Sequence, residues 1–254
     1  MTLIYIAVFI FGCVIGSFLN SVLYRMEQGK SFIKGRSFCP KCKHSLVWYD
    51  LIPIFSFLFL LGKCRYCKKK IAVQYLIAEI STGILFLLVY IFIGLDISLI
   101  YFLIVACLLE MIFIYDLKHS IIPDKLVFSA IGISIVFLAV SFFYEKVPIK
   151  DHLFSALAAS GFFFIIWAVS KGKWMGFGDV KLALFMGLFL GWPNILTALF
   201  FAFIAGAIIG LILIALQKKK IKSEVPFGPF LIAGTFFALF WGEKIFNWYL
   251  NLIY

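Results

Sequence analysis

The chain opens MTLIYIAVFIFGCVIGSFLNSVLYRM (1–26), in which a long apolar run comes first and its first positive charge, Arg25, follows it. A secretory signal peptide has the opposite order, a basic region ahead of the apolar core, so this stretch reads as a retained first span. Comparable runs recur near 74–94, 98–115, 126–144, 153–170, 180–192, 195–216 and 226–241, which with 3–23 gives about eight transmembrane helices. The sixth and eighth are short, and a seven-span count is the main alternative. Barrel strands would instead show alternating segments of about ten residues.

Composition agrees. Of the 254 residues 64% are hydrophobic and 14% charged, and there are 32 Phe, 11 Tyr and 6 Trp. Soluble domains run near a half apolar and a quarter charged. A soluble globular protein is therefore excluded, and the expected class is an all-α polytopic membrane protein in contact with a lipid bilayer.

The net charge of +11 is informative through its distribution. Segments 25–73, 116–125, 171–181 and 217–224 carry 20 of the 23 Lys and Arg, leaving Lys146, Lys150 and Lys244 for the alternate loops. The positive-inside rule then puts the N-terminus outside and every basic loop in the cytoplasm. Topology and anionic lipid account for the basic loops, and no nucleic-acid partner is expected. The expected domains are a first transmembrane helix (1–24), a cytoplasmic basic insert (25–73) and a helical bundle (74–254).

The insert holds Cys39-Pro-Lys-Cys42 and Cys64-Arg-Tyr-Cys67, two C-x-x-C knuckles with 21 residues between them. Four thiolates complete a closed tetrahedron suited to structural zinc, and a reducing cytoplasm argues against disulfides. Lys41, Lys43, Lys63, Arg65 and Lys68 would offset the thiolate charge. Between the knuckles DLIPIFSFLFLLG (50–62) is too short to span and is expected to be an interfacial or docking segment. His44 reads as a surface histidine, and Cys13 and Cys107, inside apolar runs, as small core residues.

Two acids sit where spans meet the cytoplasm. Asp116 ends the third span in IYDLKHSIIPDKL, and Asp179 opens the sixth in KWMGFGDVKLALFMG. Two carboxylates brought close cannot both ionise easily, so one acts as a base toward water while the other keeps a proton. That is aspartic protease chemistry. Gly176 and Gly178 are expected to permit positive φ and a close substrate approach. Lys181 is expected either to act on Asp179 or to anchor the span end at head groups. Asp124, after Pro123, is expected to cap the fourth span, and His119 lies close enough in sequence to tune Asp116. Glu79 and Glu110 fall inside spans, where acids mark polar cavities or helix pairing. A cation or proton transporter is the alternative from another class.

The stretches GSFLNSVLYR (16–25), the paired knuckles, DLKHSIIPD (116–124) and GFGDVKL (176–182) together resemble the type IV prepilin peptidase family across nearly the whole chain. The resemblance implies a bacterial inner-membrane aspartic endopeptidase with Asp116 and Asp179 as its catalytic pair. It implies prepilin or pseudopilin precursors as substrates, serving pili, competence or secretion, cut after Gly on the cytoplasmic side to remove a basic leader. It also implies N-methylation of the new N-terminal residue from S-adenosylmethionine, with Gly16, Asn20, Arg25 and Glu79 as candidates for that activity.

Overall fold

The computed structural model describes residues 2–29, 37–144, 148–216 and 225–253. The basic stretch 217–224, Lys146 and residues 30–36 of the insert lie outside these. The described residues are almost wholly helical: α1 (Thr2–Glu27), a 3-10 turn (Trp48–Leu51), α2 (Phe55–Phe59), α3 (Val73–Ile93), α4 (Ser98–His119), α5 (Asp124–Tyr144), α6 (Ile149–Ser170), α7 (Phe177–Leu190), α8 (Asn194–Ala215) and α9 (Gly228–Ile253). They form two compact units that divide within α4, between residues 111 and 112.

In the first unit α1 and α3 run antiparallel along a seam of small residues. Contacts pair position 5 with 90, where the Tyr5 and Tyr90 rings meet edge-on at 5.9 Å. A Cβ on Gly12 would lie 2.8 Å from the Gly83 Cα, and one on Gly16 would lie 2.8 Å from the Ala78 carbonyl. Such close approach gives apolar helices their dispersion contacts where lipid removes any hydrophobic drive to associate. Cys13 is buried in this seam beside Gly83, as its apolar context led one to expect. Asp96 then starts α4, accepting from the Ser98 hydroxyl at 2.5 Å and the Ser98 amide at 3.0 Å. These donors, the hydroxyl first, hold its carboxyl below the usual range.

The second unit is organised around α7, in which ten of the fourteen residues are buried. Among the described residues seven helices are long and apolar enough to cross a membrane, and α7 is the one expected segment that is shorter. At about 1.5 Å per residue it is roughly 21 Å long, against a hydrocarbon core of about 30 Å. Its neighbour explains how so short a helix can serve. The Trp167 and Phe177 rings meet at 5.0 Å, and the Leu188 carbonyl lies 2.8 Å from His152 Nδ1. Thus α7 covers the same thickness as residues 152–167 of α6, antiparallel to it. It stops at Gly191, where φ is +68 and the N–H bonds the Gly187 carbonyl at 3.0 Å; glycine carries this conformation without strain. The last helix is longer than the apolar run 226–241 suggested, because GEKIFNWYLNLI (242–253) continues it as helix past the charges.

Candidate functional site

Asp116 sits in the last turn of α4 and Asp179 is the third residue of α7; they are 3% and 7% exposed. Both line one cavity of about 650 Å³ within the second unit, together with Asp124, Lys181, Trp174 and Phe227. The Asp116 carboxylate faces the backbone N–H of Gly228, at the start of α9. The Asp179 carboxylate faces that of Gly176, at the cap of its own helix, as an acid at the third helical position commonly does. The Asp116 charge is near enough to act on Asp179.

Glycines set this spacing by what they lack. A Cβ on Gly228 would stand 2.5 Å from Asp116 Oδ2, and one on Gly178 would stand 2.9 Å from the Ile122 Cβ. The expected positive φ is not adopted: Gly176 has φ −74 and Gly178 lies within the helix. The second glycine of the motif is a contact point that lets α7 dock on the corner between α4 and α5. The sequence reading missed Gly228 and Ile122. The only local signal was VPFGPF (225–230), a glycine between prolines where the last helix begins.

Lys181 makes its ion pair with Asp124, not with Asp179. Its ammonium lies 5.5 Å from the Phe177 ring centroid and 5.6 Å from that of Phe128. Asp124 is the first residue of α5, and the carboxylate expected to cap that helix reaches across to α7. His119 packs on the Tyr115 ring at 4.5 Å.

In the first unit the sulfurs of Cys39, Cys42, Cys64 and Cys67 all lie within 4.8 Å of one another, with Cys39 and Cys67 4.0 Å apart. None is in a disulfide. The knuckles share one geometry, displaced by 25 residues. Cys39 N–H bonds the His44 carbonyl and Lys43 N–H the Cys39 carbonyl; Cys64 N–H bonds the Lys69 carbonyl and Lys68 N–H the Cys64 carbonyl; each distance is 2.9 Å. Lys43 and Lys68 turn the chain with φ +60 and +58, and the bridges Phe38 to Ser45 and Lys63 to Lys70 close each loop. Burial alone would raise the Cys39 thiol, but the N–H groups of Cys42 and Lys41 and the neighbouring thiols bring it down to about 7. A tetrahedron with metal–sulfur bonds of about 2.3 Å has edges of about 3.8 Å. The cluster therefore fits a metal ion held by four thiolates.

The insert is pinned to the helices. Asp50 accepts from Arg65 at 2.7 Å and from the Tyr66 hydroxyl at 3.2 Å, and Tyr66 stacks on His44 at 3.7 Å. Ile54 N–H donates to the Glu79 carboxylate at 2.7 Å, tying the apolar segment to α3. A cavity of about 130 Å³ here is lined by Arg25, Glu79, Ser17, Tyr24 and Cys39. Gly16 and Asn20 do not line it: Gly16 packs on Ala78 and Thr82, and Asn20 donates to the Tyr75 carbonyl at 3.1 Å. Glu110, whose partner the sequence did not reveal, accepts from the Ser81 hydroxyl.

Fold and sites together define a polytopic membrane protein with a buried carboxylate pair in one unit and a four-cysteine cluster in the other. Two family descriptions match in tandem, the bacterial peptidase A24 N-terminal domain over residues 10–93 and the type IV leader peptidase family over 102–211. Curated relatives named prepilin leader peptidase/N-methyltransferase align over most of the chain. That of Legionella pneumophila is 31% identical, covering 97% of this chain and 94% of its own. That of Bacillus subtilis (strain 168) is 32% identical over 96% and 97%, and that of Pseudomonas aeruginosa is 27% identical over 94% and 91%. No solved structure matches. The chain belongs to the type IV leader peptidase family.

Proposed function

We propose that this chain removes the basic leader of prepilin or pseudopilin precursors, cutting after Gly with Asp116 and Asp179 as a water-activating pair. The observation that carries the reading is that both carboxylates share one cavity while each faces a single backbone N–H. In the resting pair one acid holds a proton. The ionised partner takes a proton from water as it attacks the peptide carbonyl, while the protonated partner donates to the carbonyl oxygen; on collapse the first passes its new proton to the departing amine nitrogen and the second takes back a proton from the tetrahedral hydroxyl, which restores the pair. Atoms balance with one water consumed and no covalent enzyme intermediate. Gly176 at the cap of α7, and Gly178 and Lys181 in its first turns, hold Asp179 in place.

In this reading residues 1–24 are the first transmembrane helix, 25–73 the metal domain and 74–254 the peptidase bundle. The four cysteines hold a structural zinc ion, which leaves no open coordination position and takes no part in cleavage. The chain also methylates the new N-terminus, with S-adenosylmethionine as donor. Of the candidates for that step, Arg25 and Glu79 have the better support, since they line the smaller cavity, while Gly16 and Asn20 support the helix seam. The protein sits in the bacterial inner membrane, N-terminus outside and aspartates at the cytoplasmic rim, as the charge distribution favours. Asp50 is engaged by Arg65 and Tyr66, so precursor capture relies on the apolar helix that follows the leader.

The test is the intact mass of a pilin-like precursor incubated in membranes containing the wild type, Asp116→Ala or Asp179→Ala, with and without S-adenosylmethionine. Loss of the leader with the wild type alone supports the pair. Cleavage by either variant rejects it.

A further inference from the structure

We infer that the ion pair between Asp124 and Lys181 is a clamp that positions the two aspartates, an inference that rests on the peptidase reading above. Asp116 is followed by the corner 117–123, which delivers Asp124 at the first position of α5. Asp179 is followed two residues later by Lys181, in the first turns of α7. The pair therefore joins the two chain segments that carry the two acids. It works in register with the tight contact of Gly178 on Ile122, so the start of α7 is held to the corner at two neighbouring points. The Lys181 side chain is 16% exposed and lies between the faces of Phe177 and Phe128, which favour a cation there. Asp124 is 62% exposed, at the mouth of the cavity.

An ion pair with one partner in water adds little to folding. Placement is another matter, since a shift of about 1 Å in a reacting group can cost about a hundredfold in rate. Loss of the clamp is thus expected to lower kcat while leaving substrate capture and thermal stability nearly unchanged. Neither Asp124 nor Lys181 touches the reacting atoms in this scheme; both are positioning residues.

The experiment uses the full-length protein in detergent or membranes, with cleavage kinetics on a pilin-like precursor and amide exchange over residues 177–181. Lys181→Met and Asp124→Asn are each expected to lower kcat about tenfold with KM within about twofold. The two combined are expected to be no worse than the stronger single change, which marks a shared interaction. Lys181→Arg, which keeps the cation between the two rings, retains activity. Exchange over 177–181 quickens in Lys181→Met and Asp124→Asn and stays at the wild-type rate in Lys181→Arg. Unchanged exchange in the singles, additive rate losses, or an inactive Lys181→Arg variant with wild-type thermal stability would each overturn the clamp. A wild type that cuts no pilin-like precursor counts against the peptidase reading alone, since the exchange data judge the ion pair without it.

Discussion

A methyl group at position 178 has nowhere to go, because the space it would take belongs to the Ile122 Cβ. At Gly176 the nearest atoms beyond its chain neighbours are 3.9 Å away and φ is one that any residue adopts. The two glycines of one short motif should therefore respond differently. Gly178→Ala is expected to cost about 1–3 kcal/mol through overpacking and to slow leader cleavage. Gly176→Ala should cost less than about 1 kcal/mol, the scale of a helix cap. Thermal unfolding in detergent and cleavage rates on the same preparations check both, and equal losses would show that the motif is not read in this way. Sequence made the pair of glycines visible but suggested positive φ, since the partner that explains Gly178 lies 56 positions earlier in the chain. The same holds for Gly228 against Asp116. Asp116 and Asp179 were legible because an acid at the end of an apolar run is conspicuous wherever its partner sits.

Among the elements, the knuckles were the most legible, since C-x-x-C spacing alone fixes where the sulfurs converge. Four thiols within 4.8 Å of one another and two loops of matching geometry leave the insert with little core apart from the cluster. Metal removal should loosen it selectively. If the cluster holds the proposed zinc ion, the wild type should carry one per chain, and Cys39→Ser and Cys64→Ser are expected to lose it and to speed amide exchange over residues 37–71 while leaving 177–216 unchanged. Metal analysis and exchange mass spectrometry read the two effects. Loss of protection in both regions would mean that the cluster supports more than its own insert. Less legible was α7, because its sequence is as apolar as its neighbours but its length is set by Gly191 and by packing on α6. The tether from Ile54 to Glu79 was likewise hidden, because a backbone N–H carries no mark of its partner in the sequence.

For the whole molecule, whether α7 crosses the membrane decides the topology. Its ends lie beside Trp167 and His152 of a helix long enough to span, and only a crossing there keeps the basic segments on one side of the bilayer. Cysteines introduced singly at Lys173, Lys150 and Trp192 test this with a membrane-impermeant thiol reagent. Position 173 should label only from the cytoplasm, and positions 150 and 192 only from outside. Labelling of 192 from the cytoplasm would make α7 re-entrant and move α8 to the opposite orientation. The eight helical segments were legible from apolar runs and charge, whereas the division of the chain inside α4 was not, since one unbroken helix serves both units.

In the proposed function cleavage falls to Asp116 and Asp179 and methylation to the cavity beside Glu79. One measurement separates these roles: intact mass of two substrates, a full pilin-like precursor and the same chain with its leader already removed, each incubated with S-adenosylmethionine. The wild type should cut the first and add one methyl group to both. Asp116→Asn and Asp179→Asn should leave the precursor uncut yet still methylate the leaderless chain, and Glu79→Gln should cut without methylating. Cleavage by either aspartate variant would show that the two carboxylates are not the catalytic pair.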